Sequence, residues 1–186
     1  MKKEIRCMGI DDAPFDKFVD KEVLVVGTIY RGGSFMDGVI STKATVDGDD
    51  STEKLAEMII KSKFKQHLQF IFLDGIAVGG FNIIDIQKLY EKIKIPIIIV
   101  IRKKPNIEEI KKILIKLKKE EKIELITRAG PVQKINKVHV QFIGTTLSEV
   151  QDALKLTCTH SLIPEPVRVA HLIAAGVIKG ESKGKA

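Results

Sequence analysis

Tryptophan is absent from this sequence, and only two cysteines occur, Cys7 and Cys158, far apart and without metal-ligand spacing. A Cys-x-x-Cys zinc site is thereby excluded, and the scarcity of cysteine suits a reducing, cytoplasmic setting. Apolar runs are short as well: none approaches the ~20 residues of a membrane span. The opening Met1-Lys2-Lys3-Glu4-Ile5-Arg6 lacks the long apolar region of a signal peptide. No internal repeat is visible, nor a linker rich enough to split the chain. The glycines between Gly75 and Gly80 do not have phosphate-loop spacing, so they do not read as a nucleotide cradle.

What is present is a chain of 186 residues, 44% hydrophobic, which can bury a sizeable core without staples. One domain over residues 1–178 is the expectation, with 179–186 as a polar tail. The formal charge is +7 and the sequence pI about 9.3. That excess is compatible with nucleic acid as a partner. It is equally compatible with a Lys-rich surface that only keeps the protein soluble.

The organising stretch is Phe70-Ile71-Phe72-Leu73-Asp74-Gly75, a buried apolar run that ends in an acid and a glycine. This is the pattern of a strand that delivers a carboxylate to the edge of a sheet and then turns. Asp74 taken alone reads as a turn cap. An ionised acid directly after a buried run also needs partners.

Upstream, Ile5 to Ile10 reads as a strand ending at Asp11-Asp12. Glu22 to Tyr30 is a second strand, Arg31 to Ser34 a hairpin turn and Phe35 to Val46 a third strand. Asp47 to Glu53 marks a helix start, with Asp50, Ser51 and Thr52 all able to cap it. After the Phe70–Leu73 strand, a helix is expected over Ile83 to Lys92. The fully apolar Pro96 to Ile101 implies a strand covered on both faces with a parallel neighbour. A helix begins at Pro105-Asn106, with Ile110, Ile113, Leu114 and Leu117 inward and lysines over much of the rest. Ile123 to Thr127 and Val138 to Phe142 read as short strands, Leu147 to Leu156 and Val167 to Val177 as helices. Three antiparallel strands followed by alternating helix and parallel strand make an α/β mixed sheet flanked by helices, the ribonuclease H-like order.

Acids recur at strand ends and helix starts: Asp11, Asp12, Asp47, Asp49, Asp50, Glu53, Asp74 and Asp85. If the first and fourth strands are neighbours, Asp11 and Asp74 lie side by side, and such carboxylates repel unless a cation joins them. Mg²⁺ or Mn²⁺ suits that role, being hard and held by one or two carboxylates plus substrate phosphates. For Asp47 and Asp49 the favoured reading is plain turn chemistry. Arg168 and His171, three residues apart on one helical face, could line the site from the far side. His67, His139 and His160 show no pairing in sequence.

Four segments together carry a family resemblance. They are Met8-Gly9-Ile10-Asp11-Asp12-Ala13-Pro14-Phe15, Thr45 to Thr52, Leu73 to Ile76 with Gly80-Phe81-Asn82, and Pro164 to His171. The chain resembles the archaeal domain-of-unknown-function family 99, itself similar to endonuclease V. The resemblance implies an endonuclease V-like, ribonuclease H-like fold and Mg²⁺/Mn²⁺-dependent phosphodiester hydrolysis on nucleic acid. Asp11 and Asp74-Gly75 match endonuclease V motifs, and Arg102, with Lys103 beside it, matches the basic residue that follows the Pro96 strand and could meet a phosphate. The Phe-Arg-Glu context of the third endonuclease V acid is absent; Asp50 and Glu53 are the candidates to replace it. The Pro-Tyr-Ile-Pro-type wedge has no match in Thr45 to Gly48. The expected catalytic set is therefore Asp11, Asp74 and one of Asp50 or Glu53, with Asp11, Asp74 and Asp50 as metal ligands. Arg102, Lys103, Arg168 and His171 are the expected substrate-binding residues. The alternatives are a catalytically inactive nucleic-acid-binding or scaffold module of the same fold and, third, a hydrolase of small phosphorylated compounds.

Overall fold

Short connections decide the first half of the molecule. A computed structural model describes residues 5–182. β1 (Arg6–Asp12), β2 (Glu22–Arg31) and β3 (Phe35–Thr45) form an antiparallel meander. The chain then crosses through α1 (Ser51–Lys61) to β4 (Phe70–Asp74), which pairs parallel to β1. A small hairpin, β5 (Ala77–Val78) with β6 (Asn82–Ile83), precedes α2 (Ile86–Ile93). β7 (Ile97–Ile101) follows, parallel to β4. After α3 (Ile107–Lys116) and α4 (Glu121–Arg128), β8 (Gln133–Ile135) and β9 (Val138–Ile143) complete the sheet antiparallel. The sheet order is β3-β2-β1-β4-β7-β9-β8, and α5 (Leu147–Thr157) and α6 (Glu165–Lys179) end the chain. The α/β mixed sheet flanked by helices is the architecture expected from the sequence.

The sheet is covered on both faces. Met8, Ile10, Ile71, Leu73, Ile97 and Ile99 pack with α1 and α2, whereas Cys7, Phe70, Phe72, Ile98 and Val100 pack with Val150, Leu154 and Val167 of α5 and α6. Ile97 through Val100 are fully buried, as their unbroken apolar run requires. Glycine matters at one crossing: a Cβ on Gly9 would run into the backbone of Pro166 and Val167, so α6 seats directly on β1. Thr28 clamps the same crossing, its Oγ1 donating to the Pro166 carbonyl at 2.6 Å.

Several expectations need correction. Ile123 to Thr127 is not a strand but the middle of α4, because Lys122, Ile126 and Ala129 recur at helical spacing and are all buried. α2 begins at Ile86 rather than Ile83, since Asp85 caps it by accepting from the Gln87 and Lys88 amides. β1 runs through Asp12, so both acids stand inside the ladder. On α3 only Leu114 is buried; Ile113 and Leu117 are exposed. α6 extends to Lys179 and is closed by Gly180 at φ +76°, so the expected tail starts later. Residues 1–4 and 183–186, including the end of that tail, lie outside the described residues.

Lys122 is 2% exposed, and its ammonium donates to the carbonyls of Gly48 (2.6 Å) and Phe81 (2.7 Å) while pairing with Asp49 at 2.7 Å. Removing it takes that donor from the Gly48 and Phe81 carbonyls. Lys122→Met is expected to lower unfolding free energy by about 3 kcal/mol in urea titration. A change within experimental error would show that the amine contributes nothing net.

Candidate metal centre

Strand register brings the acids together. Ile10 pairs with Leu73 across the parallel β1–β4 ladder, so Asp11 and Asp74 follow at the same level, about 4.8 Å apart in strand spacing. Alternation along each strand places Asp11 with Cys7 and Gly9, and Asp74 with Phe70 and Phe72, on the face covered by α5 and α6. Asp12 points the other way, and its Oδ2 accepts from the Gly79 amide at 2.8 Å. Asp12 thereby fastens the loop between β5 and β6. α6, held against Gly9, supplies His171, whose Nδ1 shares a hydrogen bond with Asp11 Oδ2 at 2.8 Å. Asp11 Oδ1 accepts from the Asp12 amide.

Asp11, Asp12, Asp74 and His171, with Pro14, Phe15 and Ile101, line an open cleft of about 500 Å³ at the carboxyl ends of β1 and β4. Asp11 is only 6% exposed. Burial pushes its carboxyl up to about 8, and the charges of Asp74 and Asp12 add to that; the Asp12 amide and Arg102 pull it down. Burial also raises Asp74, against the opposing influence of Arg102 and His171. Asp12 is raised by burial too, partly offset by the Gly79 amide. Crowded, desolvated carboxylates of this kind are chemically primed for a cation.

Not every expected residue arrives. Asp50 does not line the cleft: its carboxylate accepts from the Thr45 amide and hydroxyl at 3.0 and 2.8 Å, and from Asn82 Nδ2 at 2.7 Å. Burial alone would raise its carboxyl, but those donors hold it below the usual range. Glu53 sits on the exposed surface of α1, held by Lys88 at 2.7 Å and Lys92 at 2.8 Å. Both are corrected from metal-site candidates to structural partners. Asp47 accepts from the Phe81 amide and Asp49 pairs with Lys122, which fits their reading as turn residues. Arg168 turns from the cleft to a bidentate pairing with Glu165, beside Tyr30. Lys103 is exposed and does not line the cleft. Arg102 does act on Asp11 and Asp74 electrostatically. His160, read from the sequence as an ordinary residue, is exposed and contacts the Thr159 hydroxyl and Glu165.

Two residues carry functions that sequence reasoning missed. Asn82 replaces the absent side-chain cap of α1, its Oδ1 accepting from the Ser51 amide at 3.0 Å. Lys122 has no sequence signal except its helical spacing from Ile126. A larger cleft of about 680 Å³ lies between the β8–β9 turn and α5. Lys134, Lys137 and Lys155 line it among neutral and apolar residues, with Asp152 as its single acid, so it holds no carboxylate pair.

Among the described residues, no group of three or more His, Cys, Asp and Glu side chains is arranged to hold a metal. Mg²⁺, however, needs only one or two carboxylates, with water and phosphate completing its shell. The paired, repelling carboxylates of Asp11 and Asp74 fit that requirement.

The β3-β2-β1-β4 order, with acids at the ends of two adjacent parallel strands, belongs to a ribonuclease H-like fold of the endonuclease V type. The chain belongs to the endonuclease dU family, whose model matches residues 3–178. A UPF0215 protein of the archaeon Methanothermobacter thermautotrophicus is 42% identical over all of this chain and 94% of its own length. The crystal structure of a protein of unknown function from Archaeoglobus fulgidus superposes with a TM-score of 0.87 at 38% identity, covering 94% of this chain and 98% of that one. Ciona intestinalis endonuclease V, solved with a 24mer DNA containing an inosine followed by a ribo-adenosine, is similar at a TM-score of 0.58 and 17% identity. That match covers 96% of this chain and 87% of the other. Such low identity shows the fold alone.

Proposed function

We propose that the protein is an endonuclease that hydrolyses phosphodiester bonds in nucleic acid with Mg²⁺ or Mn²⁺ held by Asp11 and Asp74. The observation that carries this reading is the register that sets those two acids side by side beneath His171. A bound divalent cation supplies activation of water and neutralisation of charge on the leaving oxygen. The chain's own residues do the rest. His171 orients the Asp11 carboxylate and can hold a proton at Nδ1. Arg102 places positive charge near both acids, where a phosphate would approach. Asp12 fixes the loop at Gly79 and so shapes the cleft wall. The family's name points to deoxyuridine in DNA as the feature recognised.

The test is a panel of end-labelled single-stranded and duplex substrates, plain or carrying deoxyuridine or inosine, incubated with Mg²⁺ or Mn²⁺. Strand scission that depends on the cation and favours deoxyuridine is expected. Tight binding without scission under either metal would contradict the nuclease reading and favour a binding module of the same fold.

A further inference from the structure

Phe18 and Val19 are the most exposed large apolar side chains among the described residues, at 86% and 74%. They stand on the connection from β1 to β2, directly after the two acids that end β1 and the cleft-lining Pro14 and Phe15. The turn that presents them is built. Asp16 Oδ1 accepts from the Phe18 amide at 2.9 Å, and the amides of Val19 and Asp20 donate to the Asp16 carbonyl at 3.1 and 2.8 Å. Asp20 Oδ2 closes the turn by accepting from the Asp16 amide at 2.8 Å. At its base, the Ala13 amide donates to the Leu24 carbonyl and Phe15 packs against the core. The two acids of the turn are thus engaged in holding its shape, while Lys17 brings its ammonium to 4.8 Å from the Phe18 ring centre.

Burial out of water stabilises a large apolar side chain, yet this turn holds Phe18 out in solvent. A second copy of the chain is a poor occupant. Two side chains present far less than the ~800 Å² that each partner of a stable interface buries. Lys17 lies over one face of the Phe18 ring, three residues from the cleft-lining Phe15. An exposed aromatic ring with a cation against it offers what single strands use: a base stacks and a phosphate meets the charge. Three Cα steps separate Phe18 from Phe15, a span of at most about 11 Å. That is no more than the rise of about three stacked nucleotides.

We propose that Phe18, flanked by Lys17 and Val19, is a stacking platform for an unpaired nucleobase of the strand whose phosphate enters the Asp11–Asp74 cleft. The proposal rests on the nucleic-acid reading above and assigns it a specific contact.

Because the chain has no tryptophan, Phe18→Trp installs a single fluorophore at the platform. The variant is titrated with a short unlabelled single-stranded oligonucleotide, with Ca²⁺ in place of Mg²⁺ or Mn²⁺, and its emission is followed. In parallel, anisotropy of a fluorescein-labelled copy measures affinity for wild type, Phe18→Trp and Phe18→Ala. Expected are quenched emission on binding, near-wild-type affinity for Phe18→Trp, and an affinity about 5- to 100-fold weaker for Phe18→Ala with the salt slope unchanged. Oligonucleotide binding by all three proteins with equal affinity and unquenched emission overturns the platform and leaves the nuclease reading standing. Absence of any oligonucleotide binding by wild type overturns both. Emission that responds to protein concentration rather than to oligonucleotide assigns the patch to self-association and also overturns the platform.

Discussion

Asp74→Asn lowers the rate of strand scission at least about 10³-fold, while Glu53→Gln retains the wild-type rate. Charge stabilisation by a metal at a phosphoryl oxygen is worth several kcal/mol, and each 1.36 kcal/mol is a factor of ten in rate. Asp74 closes β4 beside Asp11, so an amide there removes half of the anionic pair without altering the strand. Glu53 by contrast is engaged by Lys88 and Lys92 on the exposed side of α1. Asp50→Asn belongs to a third category: it weakens the Thr45 and Asn82 bonds at the start of α1 and lowers the melting temperature. Cleavage assays on matched amounts of folded protein separate the three outcomes. A fall in rate for Glu53→Gln comparable to that of Asp74→Asn would restore Glu53 to the site.

Without divalent cation, the melting temperature of the wild-type protein falls as pH rises from about 5 to 9, and Mn²⁺ reverses the fall. In the native state Asp11 holds its proton up to about 8, whereas an unfolded aspartate releases it near ~3.9. Between those values the native state binds more protons, so stability declines with rising pH: it is fully present below the unfolded value and lost as pH passes through the native one. Asp74 and Asp12, raised by the same burial, act in the same direction. A cost of a few kcal/mol corresponds to about 10 °C for a chain of this size. Mn²⁺ held by the ionised carboxylates, as proposed, would stabilise by about 2.7 kcal/mol at a hundred times its dissociation constant. Asp11→Asn should flatten the pH profile, melt higher than wild type at pH 8 in EDTA and lose the Mn²⁺ response. Differential scanning calorimetry across that range is the check. A melting temperature that rises with pH in EDTA would contradict the buried-carboxylate picture.

Much of this was legible in the residues because the signals were local. The unbroken Pro96–Ile101 run could only be a doubly covered strand, and the acid and glycine after Phe70–Leu73 marked a strand end. Asp11 and Asp74 emerged once β1 and β4 were placed as neighbours, since register then follows from strand ends. The acid-rich Asp47–Glu53 segment misled because composition cannot reveal which acids already have partners. Asn82 and Lys122, distant in sequence, engage Asp50 and Asp49, and no periodicity in the segment announces them. Ile123–Thr127 misled for the opposite reason. Its β-branched residues imply a strand, but the burial of Lys122, Ile126 and Ala129 on one face decides for a helix. Phe18 left no signal at all, because exposure is a property of the folded turn.

The shared cation at Asp11 and Asp74 is tested most directly by crystals soaked in Mn²⁺, with anomalous diffraction collected from wild type and Asp74→Asn. The predicted result is an anomalous peak in contact with both the Asp11 and Asp74 carboxylates, lost in the variant. A peak at the Asp47–Asp50 turn instead, or one that persists unchanged in Asp74→Asn, would contradict it.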